Sequence, residues 1–151
     1  PRIPLAPLTL DPAYAEALGC TPLQTLAAGA KFLLVLGSEQ EVQGLKPDFH
    51  ALRALPGRGL MVTAPSSRGG DDFVSRYFAP WVGVDEDPVT GSNHCALVPF
   101  WAERFSRTQL RARQISARGG ELVLELQGDR VWMSGQALTL WQGEWLLPPC
   151  P

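Results

Sequence analysis

The segment NHCALVPFWAERF, residues 93–105, constrains the fold of this chain more than any other segment. It has the length of a helix, and apolar residues lie on nearly every side of that helix. A helix of this kind cannot lie on a surface with one polar side toward water, so other elements must surround it. Pro99 lies inside the segment, and we expect it to kink the helix or to loosen one turn.

The segments on either side predict the strands that surround this helix. LRARQIS and ELVLELQ alternate between polar and apolar residues, and short glycine-containing turns separate them from each other and from RVWMSG. GLMVTAPS and DDFVSRYFAP predict two earlier strands, and ALTLWQGEWLL predicts one more near the end. We therefore predict an α+β fold, in which a curled, mostly antiparallel sheet surrounds one central buried helix.

The first third of the chain predicts smaller elements. Asp11-Pro12 begins a short helix that Gly19 ends, because aspartate caps free amides and glycine tolerates the left-handed turn. TLAAGAKFLLVLG predicts one or two buried strands, SEQEVQGL a loop or a helical turn, and KPDFHALRAL a helix. The opening PRIPLAPLTL is proline-rich and predicts a linker or an edge strand, at a junction inside a longer polypeptide.

Composition limits the class of protein. The chain has 151 residues, 45% hydrophobic and 19% charged, which suits a single globular domain covering residues 1–151. A net charge of −2 argues against nucleic-acid binding, and we interpret the clustered arginines as a solvated face: Arg104, Arg107, Arg111, Arg113 and Arg118. No apolar run approaches the roughly 18 residues that span a membrane. Three widely spaced cysteines and the absence of a signal peptide at the start favour the reducing cytoplasm.

The stretch VDEDPVTGSNHCA, residues 84–96, carries the candidate chemistry. Asp87-Pro88 is a common helix start, so Asp87 could simply cap the helix. Alternatively, the first amides of the helix, around Thr90, Gly91 and Ser92, have no partner inside it and can bind a carboxylate with the help of the helix dipole. Gly91 would let a ligand approach the backbone closely, and Asp87 could exchange a proton with that ligand.

Other chemistries fit the sequence less well. His94 and Cys95 are neighbours, so on a helix their side chains point about 100° apart and do not form a nucleophile–base pair. Cys95 is most simply a core residue, whereas His94 could reach the site or support it from behind. A metal site would have to combine Asp87, His94 and the distant His50, and we do not predict one. No nucleotide-binding motif occurs, and the tryptophans are most simply packing residues, with Trp81 near the candidate site.

Residues 75–105, SRYFAPWVGVDEDPVTGSNHCALVPFWAERF, resemble the signature of the phenazine-biosynthesis PhzF-like family, which shares the diaminopimelate epimerase fold. The FAP, EDPVTGS and HCAL..FWA segments match in order and spacing, and SARGGEL is similar to the family's C-terminal half. The family fold has two similar halves, each a curled sheet around a central helix, with the active site between them. The resemblance therefore implies that this chain corresponds to the C-terminal half and that the N-terminal half is absent from it.

The resemblance also implies an activity, namely an isomerase that moves a proton on a small carboxylated substrate without a metal or a cofactor. By resemblance, Asp87 corresponds to the family's active-site aspartate, and Thr90, Gly91 and Ser92 to the turn that contacts the substrate. Asn93 departs from the family, which more often has a small residue there. Members of the family usually pair as homodimers, so the resemblance implies that partner as well.

One departure from the family bears on the activity of the chain alone. The family's principal acid/base glutamate and a histidine in a glycine-histidine segment lie in the N-terminal half, and no such segment occurs here. We expect the isolated chain to provide half of a cleft and negligible activity, unless the missing half or a partner chain is added. The alternative is a non-catalytic domain that keeps the fold and binds a small acid or another protein.

Overall fold

The computed structural model of the protein describes residues 1–144. Its helices are α1 (Pro12–Leu18), α2 (Glu39–Gly44), α3 (Phe49–Ala54) and α4 (Gly91–Phe105). Its strands are β1 (Ala6–Pro7), β2 (Gln24–Ala28), β3 (Lys31–Val35), β4 (Leu60–Pro65), β5 (Phe73–Ala79), β6 (Val84–Glu86), β7 (Gln109–Gln114), β8 (Gly120–Gln127) and β9 (Arg130–Ser134). The predicted α+β class is confirmed.

All described strands belong to one sheet, in the order β1-β2-β3-β4-β5-β7-β8-β9. The pairs β3–β4 and β5–β7 are parallel, and the other neighbours are antiparallel. Strand β6 pairs with β5 as well, so the sheet is mostly antiparallel, as predicted. The proline-rich start forms the edge strand β1, where a missing backbone N–H can face away from the ladder.

The sheet curls around α4. One face of the sheet and helix α4 share a core whose large members include Leu33, Phe73, Leu97 and Trp101. The opposite face packs against α1, α2 and α3. The curl brings the start of the chain to the far end of the sheet, where the amide of Arg2 donates to the carbonyl of Asp129 over 2.8 Å. The helix predicted to be surrounded is therefore buried on most of its sides.

Pro99 lies inside α4, which runs without interruption from Gly91 to Phe105. Proline has no N–H, so the carbonyl of Cys95, four residues earlier, loses its helical partner. The amide of Ile3 donates to that carbonyl over 2.8 Å. Because Pro99 leaves the Cys95 carbonyl without a helical donor, Ile3 can bind it, and this bond holds the first residues of the chain against α4.

The sheet carries a partly buried ionic cluster formed by Glu39, Asp71 and Arg113. Glu39, at the start of α2, also accepts hydrogen bonds from both hydroxyls of Ser66 and Ser67 and from the Ser67 amide. Burial alone would raise the pKa of Glu39, but the Ser67 amide, Arg113 and the two hydroxyls together lower it to about 2. The prediction that the arginines form a solvated face is therefore wrong for Arg113, whereas the other four are exposed.

Three further predictions need correction, and two of them concern some residues beyond residue 144. The sequence predicts a loop at residues 81–92, WVGVDEDPVTGS, but this segment contains most of a 3-10 turn (Pro80–Val82), the strand β6 and the first two residues of α4. Residues 137–144, predicted as part of a strand, form none, while residues 145–147 of that segment lie outside the described residues. Trp132 and Trp141 are 60% and 79% exposed, so they are not packing residues as predicted, and Trp145 is not described.

Candidate functional site

The candidate site begins where one edge of β5 is shared by two strands. Strand β7 pairs with β5 along Phe73–Ser75, and β6 pairs with it farther on, at Phe78 and Ala79. The chain leaves this edge at Asp87, whose amide donates to the carbonyl of Tyr77 over 3.0 Å. The loop from Asp87 to Thr90 therefore lies beside the end of β7 and leads directly into α4.

Gln114, the last residue of β7, holds this loop. Its side-chain carbonyl accepts from the Thr90 amide over 2.8 Å, and its side-chain nitrogen donates to the Asp87 carbonyl over 2.6 Å and to the Thr90 hydroxyl over 3.2 Å. Ser116 adds a hydrogen bond to the Pro88 carbonyl over 2.9 Å. Gln114 is only 1% exposed, so these bonds are shielded from water.

We call Gln114, with its hydrogen bonds to the loop, the clamp. The Thr90 hydroxyl links this clamp to the carboxylate of Asp87. Because Gln114 donates to the Thr90 oxygen, the hydroxyl proton is free to point at Asp87, and it donates to the Asp87 Oδ2. Thr90 is itself the N-cap residue of α4, and no helix amide of the described chain donates to the Asp87 carboxylate. The capping role considered for Asp87 is therefore not what the structure shows. Its half-buried carboxylate is oriented by Thr90 instead.

The amides of Gly91 and Ser92, at the start of α4, donate to no group in residues 1–144. The carbonyls four residues before them, those of Asp87 and Pro88, lie outside the helix and accept from Gln114 and Ser116. Gly91 and Ser92 are exposed, and the nearest atom to a side chain added at Gly91 would be the sulfur of Met133, at 3.9 Å. An open cleft of about 840 Å³ reaches Gly91 from the side of Gly120 and Met133, whereas Asp87, Ser92 and Lys31 do not line it.

Lys31 and Tyr77 also belong to this region, and neither was predicted from the sequence. Lys31 opens β3, and its ammonium donates to Ser92 Oγ over 2.9 Å and to Asn93 Oδ1 over 2.8 Å. The ammonium lies 4.8 Å from the centre of the Tyr77 ring, a cation–π contact. Burial raises the pKa of Tyr77, and the charge of Asp87 raises it further against the opposing effect of Arg58. A single lysine in the apolar run AAGAKFLLVLG is the sequence signal that could have identified this neighbour.

His94 supports the site from behind, one of the two roles considered for it. Its side chain is fully buried, and its Nδ1 lies 3.0 Å from the carbonyl of Thr90. Burial lowers the pKa of the imidazole, although the bond to Thr90 opposes this effect, so the ring is neutral and donates from Nδ1. Cys95 is partly buried beside the same helix turn. His94 therefore fixes the Thr90 backbone and does not approach the open side.

The alternative of a metal site gains no support from the described chain. Residues 1–144 contain no group of three or more His, Cys, Asp or Glu side chains that could hold a metal ion. His50, the third ligand considered, is exposed on α3, whereas His94 is buried against Thr90. Trp81, expected near the site, donates from its indole to the Leu55 carbonyl at the end of α3. No described helix is long and apolar enough to cross a membrane.

The arrangement combines three chemical capacities. Asp87 offers a carboxylate that one hydroxyl orients and that is only half-buried. The helix start offers unpaired amides, which bind anions. Lys31 adds a positive charge within hydrogen-bonding distance of the first helical turn. Such a set can hold a small acid and exchange a proton with it, provided that a second acid–base group faces Asp87.

Comparisons with known proteins identify the family of this chain. The profile of the phenazine biosynthesis-like protein family, PhzC-PhzF, matches residues 8–143. The chain is 51% identical over 128 residues to an uncharacterized isomerase of Pseudomonas aeruginosa, covering 85% of this chain and 48% of that protein. It is 44% identical over 132 residues to an uncharacterized isomerase of Halalkalibacterium halodurans, covering 87% and 50%. The chain thus spans about half the length of the curated relatives that it matches.

Solved structures are similar as well. A PhzF-family phenazine biosynthesis protein of Enterococcus faecalis superposes with a TM-score of 0.88 at 40% identity, over 97% of this chain and 56% of the other. A phenazine biosynthesis PhzC/PhzF protein of Clostridium difficile, so named as a tentative assignment, gives a TM-score of 0.80 at 38% identity, over 95% and 57%. Sequence and fold therefore agree: this chain belongs to the phenazine biosynthesis-like PhzF family.

Proposed function

We propose that this chain is the C-terminal half of a PhzF-like isomerase, which moves a proton on a small carboxylated substrate without a metal or a cofactor. The observation that carries the proposal is the oriented carboxylate of Asp87 beside the unpaired amides of Gly91 and Ser92. The names of the relatives support an isomerase-type activity at the level of the family. The diaminopimelate epimerase fold implied by the resemblance is part of this proposal.

In this proposal, the helix start binds the polar group of the substrate. The dipole of α4 and the amides of Gly91 and Ser92 favour a negative charge there, with Thr90 holding the turn in place. Asp87 then gives or takes a proton, or orients the substrate by a hydrogen bond. A shift of hydrogen from one carbon to another also needs a base on the opposite side of the substrate. In our proposal the N-terminal half supplies that base, so the isolated chain has negligible activity.

The first test replaces Asp87 with asparagine in the protein that contains both halves. Small carboxylic acids are incubated with it in D₂O, and incorporation of deuterium at carbon is followed by mass spectrometry. We expect Asp87→Asn to lower the rate at least ~100-fold, because general acid–base groups contribute that much or more. Asp85→Asn is the matched control, since Asp85 is exposed and, among residues 1–144, pairs only with Arg53.

The same experiment distinguishes the alternative, a non-catalytic domain that binds a small acid. In that case neither the wild-type protein nor the variants would exchange hydrogen at carbon, and Asp87→Asn would change only the affinity for the acid. Dialysis against a chelator addresses the metal-free part of the proposal. The exchange rate is expected to survive it, and a loss that added metal restores would contradict that part.

A further inference from the structure

The hairpin formed by β7 and β8 contacts the whole loop of residues 87–90, which leads into α4. Gln114, at the end of β7, binds the first and last residues of this loop. Ser116, in the turn of the hairpin, donates to the carbonyl of the second residue over 2.9 Å. The third residue, Val89, lies against Gly120, the first residue of β8. Each residue of the loop is therefore in contact with the hairpin.

Gly120 lies directly opposite Gln114 in the antiparallel pair of β7 and β8. Side chains of directly opposed residues point to the same face of a sheet, so a side chain at position 120 would point toward the loop, as that of Gln114 does. Its Cβ would overlap the Cγ2 of Val89, and the Cβ and Cγ1 of Val89 would both lie 3.5 Å from it. Val89 thus occupies the space that Gly120 leaves free.

Space, and not backbone conformation, explains the glycine at this position. The neighbouring Gly119 has a φ of +71°, in the left-handed region that favours glycine. Gly120 belongs to a strand and its φ lies outside that region, so the backbone there admits alanine. Replacement of Gly120 by alanine therefore changes the packing against Val89 and leaves the conformation of the turn as it is.

Val89 is held on more than one side. Its side chain also packs against the core around α4. A β-branched side chain is stiff at χ1, so a methyl group added at position 120 would displace the backbone of Val89 and not merely a flexible side-chain end. Thr90 follows directly in the chain and donates its hydroxyl proton to Asp87. A displacement at Val89 is therefore passed to the Asp87 carboxylate through a single residue.

We propose that Gly120 is a positioning residue of the site, which places Val89 and, through it, the carboxylate of Asp87 and the start of α4. The inference rests on the proposed function and adds to it a residue of another element that sets the geometry of the loop. The cross-strand pair of Gln114 and Gly120 then holds the loop in two ways, by hydrogen bonds and by a close apolar contact.

Three variants of the protein that contains both halves test this role: Gly120→Ala, Val89→Ala and the double variant. We expect Gly120→Ala to lower kcat for hydrogen exchange at carbon at least ~10-fold and to affect KM less, because small displacements of a catalytic group are costly. The double variant lacks the overlapping methyl groups of Val89, so its kcat should lie within about 3-fold of that of Val89→Ala alone, as for two residues in direct contact.

A second measurement follows the loop without turnover. Exchange of the backbone amides is measured by mass spectrometry on the peptide that contains residues 87–92. This peptide should exchange faster in Gly120→Ala, because the bond from the Thr90 amide to Gln114 is disturbed, and the double variant should match Val89→Ala. If the wild-type protein exchanged no hydrogen at carbon, the proposed function would fail, while the amide pattern would still decide whether Gly120 places the loop.

Gly69→Ala is the matched control. Apart from its neighbours in the chain, no atom of residues 1–144 lies within 4 Å of a Cβ built there, and its φ is outside the left-handed region. Its kcat and amide exchange should equal those of the wild-type protein. A wild-type kcat in Gly120→Ala would overturn the inference, and so would a double variant no more active than Gly120→Ala. If Gly120→Ala failed to fold, the double variant would decide alone, since it should fold and keep the kcat of Val89→Ala.

Discussion

Gln114 shows how much of the site depends on one buried amide. It binds the Thr90 amide, the Thr90 hydroxyl and the Asp87 carbonyl, so it fixes both the start of α4 and the direction in which the Thr90 proton points. The sequence indicates that Gln114 needs a buried hydrogen-bond partner. Leu110, Ala112 and Gln114 are the inward positions of the alternating strand β7, and a polar residue at an inward position requires a buried partner. The identity of that partner could not be predicted, because it lies 24 residues away.

Replacement of Gln114 by methionine tests this clamp. Methionine has a similar length and no hydrogen-bonding amide, so Gln114→Met leaves the Thr90 amide and the Asp87 carbonyl unpaired in a buried place. We expect a loss of about 1–3 kcal/mol in the free energy of unfolding, measured with urea. Gln109→Met, an exposed position on the same strand, should change it by less than about 0.5 kcal/mol. If the two variants were equally stable, the clamp would not hold the loop as described.

In the protein with both halves, Gln114→Met should also lower kcat for hydrogen exchange more than it raises KM. The reason is that Gln114 touches Asp87 and Thr90 in the chain and reaches the substrate only through them. If Gln114→Met lost stability but kept the wild-type kcat, Gln114 would have only a structural role.

At the scale of elements, the contact between α2 and β7 should depend on pH. Glu39 is 8% exposed and has a pKa of about 2 instead of its ordinary 4.5. A carboxyl whose pKa is lower in the folded state stabilises the fold above the unfolded value, and this stabilisation is lost as the pH falls from about 4.5 toward 2.

Glu39→Gln should therefore have a lower free energy of unfolding than the wild-type protein at pH 6. This difference between the two proteins should become smaller as the pH falls toward 2. Urea unfolding followed at several pH values measures it. Glu103→Gln, at an exposed position on α4, should follow the wild-type curve throughout. A gap between Glu39→Gln and wild type that stayed constant from pH 6 to pH 2 would show that the cluster does not titrate as proposed.

At the scale of the whole molecule, most of the fold that could be predicted from the sequence followed from the helix α4. Its apolar surface required a surrounding sheet, and the glycine turns placed β7, β8 and β9 in antiparallel order, as observed. The parallel pairs β3–β4 and β5–β7 were not predictable, because a strand that is buried on both faces carries no pattern that names its neighbour. For the same reason Lys31, on β3, could not be placed beside Ser92 on α4 from sequence alone.

The proposal that the chain is one half of a larger enzyme makes a prediction at this scale. The relatives are about twice as long as the part matched here. We expect the protein recovered from its native source to have a denatured mass near twice the 16.4 kDa of this chain. A mass near 16.4 kDa without a co-purifying partner chain would favour the non-catalytic alternative. The native mass of the intact protein, by light scattering, tests the homodimer that the resemblance implies.

The buried Trp101 is a natural fluorescence probe of the packing around α4. Its indole donates to the Thr63 hydroxyl and stacks on Phe73 and Phe105, and the residue is 3% exposed, so it should fluoresce at short wavelength and resist quenching by iodide. Trp132 and Trp141 face water and should be quenched first. In a variant with Trp81 and Trp145 replaced by phenylalanine, the emission that remains after this quenching comes from Trp101 and reports whether the sheet still encloses its helix. The chain thus contains its own optical probe of the fold, without any label.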